Sequence, residues 1–180
     1  MRRLFLRRCL LLTAGFTAGL THPLLALATA YKDIDWDELI PDGWRKQVIL
    51  ELTRMKRFAN AEDGDPKADE AYAKLKKTWD AAPIVKNMIG KKVRIPGYVV
   101  PLDAERMQSS DFLIVPYFGA CVHSPPPPAN QIILIIPPKG TRTRTMDAIW
   151  VEGTLGEERT FSEAGTSAYV IKADKVTPYR

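Results

Sequence analysis

One cysteine and one histidine stand two residues apart in Phe118-Gly119-Ala120-Cys121-Val122-His123-Ser124, and four prolines, Pro125 to Pro128, follow. On an extended segment, residues i and i+2 project to the same side. A thiolate and an imidazole are ligands that suit zinc or copper. Two ligands fall short of the four of a closed structural zinc site, so carboxylates, water or a second chain would have to complete it. The same pair supports two other readings. A free cysteine often packs as a small apolar group, and a lone histidine is often only hydrogen-bonded. Alternatively, His123 would lower the Cys121 pKa and make a thiol nucleophile. That reading lacks a legible third orienting group and oxyanion hole, and the chain has no Cys-x-x-Cys motif.

These are the only Cys and His left once the first thirty residues are set aside, since Cys9 and His22 fall within them. That leader has Arg2, Arg3, Arg7 and Arg8, an apolar stretch from Cys9 to Leu20, and small residues at Ala28-Thr29-Ala30 before Tyr31. Ala26-Leu27-Ala28 is an alternative cleavage site. The pattern is that of a secretory signal. A transmembrane anchor is the competing reading, but the stretch is short and Pro23 and two glycines interrupt it. The paired arginines resemble a twin-arginine export motif, and no cysteine stands at a lipobox position. The expected location is the periplasm, where an unpaired thiol is unusual.

The net charge of +5 belongs largely to the leader. Beyond residue 30 there are 22 Lys+Arg against 21 Asp+Glu. Such a balance argues against a nucleic-acid partner, which needs a concentrated positive field. There is no Gly-rich phosphate loop, no Gly-x-Ser-x-Gly and no His-Glu-x-x-His. Glu157 and Glu158 are expected in a solvated turn.

Three regions follow: a leader over 1–30, an arm and helices over 31–89, and a β domain over 90–180. The arm, 31–42, carries Ile34, Trp36, Leu39 and Ile40 as apolar anchors over the core. Trp44, Val48, Leu52 and Met55 recur at spacings of four and three, which predicts a helix over 42–58. A second helix starts after Asp65, with Pro66 at its first position and Ala68, Tyr72, Leu75 and Trp79 on one face. A short third helix is expected over 83–90.

Five strands are expected at 93–102, 112–118, 131–136, 148–155 and 168–176. In the first, Val93 and Ile95 share one parity, and Tyr98, Val100 and Leu102 share the other. A bulge at Pro96-Gly97 would bring all five to one side. The run over 131–136 is apolar throughout, which predicts burial on both faces. The expected fold class is α+β, mainly β: a five-stranded OB-like barrel preceded by N-terminal helices, with an SH3-like barrel as the alternative. The tetraproline reads as a stiff connection between strands.

The blocks over 90–102, 112–131, 150–155 and 168–173, with Trp36 and Pro41, resemble those of a family of bacterial exported proteins of unknown function. The likeness spans residues 34–179. Members of that family are often encoded beside ABC-type transporter components, in some bacteria in a neighbourhood tied to zinc supply. The resemblance implies a periplasmic accessory protein whose partners are transporter components or other envelope proteins. It implies metal handling, with zinc as cofactor and Cys121 and His123 as the residues of ligand chemistry. It brings no catalytic residues. A protein-interaction module without metal is the alternative function, and a thiol enzyme the third.

Overall fold

The computed structural model describes residues 30–58, 61–62, 64–102, 111–119 and 127–180. Among them, no helix is long and apolar enough to cross a membrane. The arm contributes a two-residue strand β1 (Lys32–Asp33) and a 3-10 helix (Trp36–Leu39). At the start of that helix the Asp35 N–H donates to the Glu38 carboxylate at 3.2 Å, satisfying an orphan donor. Ile34 and Leu39 are buried in the main core, as arm anchors should be.

Helix α1 (Trp44–Met55) runs on into a 3-10 helix (Lys56–Phe58). Helix α2 (Pro66–Asp80) starts where expected, with the Asp65 side chain accepting from the Lys67 N–H at 2.8 Å. Leu75 and Trp79 are buried, but Tyr72 and, on α1, Leu52 are exposed. Apolar spacing finds a helix, yet only Trp44 of α1 is fully covered. In place of a third helix there is one 3-10 turn, Lys86–Met88, that buries Met88 in the core.

Strands β2 (Lys92–Pro101), β3 (Phe112–Val115), β4 (Ile133–Ile136), β5 (Ala148–Ser162) and β6 (Gly165–Pro178) complete the architecture. The fold is mixed α+β, mainly β: a six-stranded sheet with two helices. Strand order is β1-β2-β3-β4-β6-β5, and β2 also pairs with β5. The pairs β1–β2 and β4–β6 are parallel and the rest antiparallel. The sixth strand is β1, too short to carry a readable alternation.

Three expectations about the strands need correction. β3 stops at Val115 because Pro116 has no N–H for the ladder. β5 extends through Glu157 and Glu158, which lie in a strand and not a turn. Its register shifts there, between Glu157 and Thr160, so period-two alternation is lost exactly where the polar residues begin. Finally, β2 has no bulge at Pro96-Gly97. Its pairing with β5 runs unbroken from Lys92↔Thr154 to Tyr98↔Ala148. Tyr98 and Val100 therefore face away from Val93 and Ile95.

They form a second apolar cluster instead, with Leu113, Val115, Leu134 and Val170. The main cluster, on the other side, holds Val93, Ile95, Ile114, Ile133, Ile135, Leu155 and Ile171. β4 feeds both clusters, which accounts for its continuous apolar run. The glycines have a packing role. A Cβ on Gly97 would lie 3.0 Å from Ile114 Cβ and 3.2 Å from the Trp36 ring. On Gly153, beside the other register shift, it would lie 2.4 Å from the Lys172 carbonyl oxygen.

Candidate functional site

Cys121 and His123 fall outside the described residues, and the described residues contain no other cysteine or histidine. What the structure does define is the frame on either side. β3 is buried at every position. Beyond it, Tyr117 and Phe118 are exposed, and the Phe118 ring meets Tyr98 edge-on with centroids 5.8 Å apart. On the return side Pro127 is buried, and a 3-10 helix (Ala129–Gln131) follows. Asn130, fully buried, donates from Nδ2 to the Pro83 carbonyl at 2.9 Å. Gln131 donates from Nε2 to the Trp36 carbonyl at 2.9 Å. The segment with the Cys-x-His pattern thus joins two points that are tied to the core and to the arm.

Beside this frame lies a groove of about 180 Å³, lined by Trp36, Pro96, Gly97, Tyr98, Pro116 and Tyr179. Ala148 completes the lining, so five stretches of chain converge on it: the arm, β2, the exit of β3, the start of β5 and the end of β6. The Trp36 indole Nε1 donates to the Pro96 carbonyl at 2.7 Å, which fixes the ring across β2. Tyr179 stacks on Trp150, with centroids 5.2 Å apart and planes 25° from parallel. On Trp150 also lies the Arg94 guanidinium, 4.0 Å from the ring centroid. Arg94 pairs with Glu152 and Asp33, each at 3.4 Å. Aromatic faces and a partly shielded cation provide stacking and apolar contact.

Among the described residues, three groups are shifted from their ordinary values, all outside the groove lining. Burial pushes the Tyr169 hydroxyl up. The Tyr31 hydroxyl is raised because it donates to the Asp174 carboxylate. Glu38 is lowered by the hydrogen bond from Lys32. Among the described residues, no group of three or more His, Cys, Asp or Glu could hold a metal ion. The thiolate and imidazole of Cys121 and His123 match zinc in donor type.

The groove is the feature that sequence reading missed. Its signal was present in part, since Pro96 and Tyr98 share a parity that alternates with the buried Val93 and Ile95. Reading a bulge there turned Tyr98 toward the core. Tyr179, beyond the last predicted strand, had no periodicity to mark it.

Fold and frame together define a class: a small, mainly β domain with an N-terminal arm and helices, carrying an aromatic groove beside the exit of β3. The chain belongs to the family described as protein of unknown function (DUF3299), whose family model matches residues 36–178. The crystal structure of a DUF3299 family protein from Pseudomonas aeruginosa PAO1 is similar, with a TM-score of 0.59 and 33% sequence identity. That match covers 84% of this chain and 97% of that one. No curated protein matches the chain.

Proposed function

We propose that this protein is an exported, non-catalytic accessory module of the cell envelope that holds zinc, or another soft metal, through Cys121 and His123 and works beside transport components. The observation that carries the reading is the mounting of the Cys-x-His segment. It connects buried β3 to a return point held by Asn130–Pro83 and Gln131–Trp36 hydrogen bonds. Binding residues are commonly carried on loops positioned by a rigid scaffold. Zinc would supply a bridge between this segment and the carboxylate, water or partner ligand that completes its shell. In the same reading the strands form an OB-like barrel. The pairings β2–β3, β3–β4, β4–β6, β6–β5 and β5–β2 support this, because they follow one another in a ring.

A second reading, a metal-free interaction module, is favoured by the aromatic groove and the exposed Phe118. Metal analysis of the chain from Tyr31 separates the two. Stoichiometric zinc, lost in Cys121→Ser and His123→Ala with the fold retained, supports the metal site. Absence of binding at micromolar zinc leaves the interaction module.

A further inference from the structure

Helix α1 and the 3-10 turn after it, residues 44–58, hold five Lys/Arg and one acid, Glu51. The rest of the chain beyond residue 30 has 17 Lys/Arg against 20 Asp/Glu. Positive charge is therefore concentrated in one short element of an otherwise slightly acidic domain. The structure adds where it points. All five cations, Arg45, Lys46, Arg54, Lys56 and Arg57, are exposed, whereas Glu51 is largely covered and paired with Arg54 at 2.6 Å. Arg45 pairs with Asp37 at 3.1 Å. Lys46, Lys56 and Arg57 enter no ion pair among the described residues. Between these cations stand Ile49, Leu50 and Leu52, exposed at 58%, 51% and 42%. Trp44 is buried and anchors the helix start.

We propose that this outward face of α1 is a docking surface for an anionic lipid bilayer. A protein interface gathers its apolar residues in a core and its charges at a rim. Here exposed cations and aliphatics are interleaved along one helix whose own single acid, Glu51, is largely covered, and the exposed acid beside it, Asp37, pairs with Arg45. Headgroup phosphates would meet the ammonium and guanidinium groups, while the aliphatic side chains enter the acyl boundary and the long basic stems snorkel back to the interface. The proposal is independent of the metal reading, since it uses no residue of the β3–β4 connection.

The test is co-sedimentation with vesicles, using the chain from Tyr31 so that the apolar leader does not contribute. The crystallised relative, matched over 97% of its own length, is a domain of this extent. The expected result is binding to phosphatidylglycerol–phosphatidylcholine vesicles and not to phosphatidylcholine alone. Combined Lys46→Glu, Lys56→Glu and Arg57→Glu should weaken it about tenfold or more. Ile49→Ser with Leu50→Ser should weaken it several-fold at unchanged charge. All these side chains are exposed, so the melting temperature of each variant should stay at the parent value. Equal binding to neutral vesicles, or no binding to either, overturns the proposal. So does full binding by the charge-reversed variant. Binding that the aliphatic changes leave untouched is ionic adsorption only and overturns it too. Binding to polyglutamate in place of vesicles would overturn it in favour of an acidic protein partner.

Discussion

The Tyr169 hydroxyl donates to the Leu39 carbonyl at 3.0 Å, across 130 residues of sequence. It also accepts from the Val85 N–H at 2.7 Å. One side chain of β6 therefore ties together the arm and the segment that leads into β2. Its ring is fully buried among strand residues of the main core. The hydroxyl satisfies two backbone groups that would otherwise be left without partners where the arm closes over the sheet.

Tyr169→Phe keeps the ring and removes both bonds. The expected cost is about 1–3 kcal/mol, because the Leu39 carbonyl and Val85 N–H then lose a partner. Urea denaturation of parent and variant measures it. An unchanged midpoint would mean that water replaces the hydroxyl.

Burial also makes stability depend on alkaline pH. The folded state holds the Tyr169 pKa above its ordinary 10.0. As pH rises past 10, the unfolded chain loses this proton first, so the unfolded state gains and stability falls until the raised folded value is passed. Below 10 both states keep the proton and the contribution is constant. Melting temperatures from pH 8 to 11 should therefore fall more steeply for the parent than for Tyr169→Phe. Tyr31 is raised as well, but it is present in both proteins, so the difference between them isolates Tyr169.

Gly97 and Gly153 make a graded pair. Alanine at 97 meets Ile114 and the Trp36 ring at 3.0–3.2 Å, and side chains can yield a little. Alanine at 153 meets the Lys172 carbonyl oxygen at 2.4 Å and Ala173 Cα at 2.8 Å, which are backbone atoms held in the β5–β6 ladder. Overpacking of the first kind costs about 1–3 kcal/mol, and the second should cost more. Gly97→Ala should also shift Trp36 fluorescence, since the indole that bonds Pro96 is the neighbour displaced. Equal midpoints for the two variants would show that β6 gives way at Lys172.

If Cys121 holds zinc, removing the metal changes its reactivity. In the chain from Tyr31 it is the sole thiol. Iodoacetamide should modify it slowly when zinc is bound and at least several-fold faster after chelation, because a metal-bound thiolate is withheld from the reagent. His123→Ala should abolish that protection without chelator. A rate indifferent to both treatments would count against the metal site.

Much of the architecture was legible in the residues by themselves. Asp65-Pro66 marks the start of α2 through capping and the fixed φ of proline, which are local effects. The apolar run at Ile133–Ile136 announces a strand buried on both sides. The likeness of the blocks between Trp36 and Ala173 places the chain in its family. The tertiary structure alone decided which face each side chain takes. Alternation in β2 is the same whether Tyr98 points to the main core or away, and the unbroken register with β5 settles it. The second apolar cluster was invisible for that reason, because hydrophobic spacing reports that a residue is buried and not what covers it. Leu52 and Trp44 share a helical period, yet only Trp44 found a neighbour to bury it. The Tyr169–Leu39 bond and the convergence of Trp36, Tyr98 and Tyr179 on one groove join residues 60 or more positions apart. Such contacts depend on the path of the whole chain, and no local pattern encodes them.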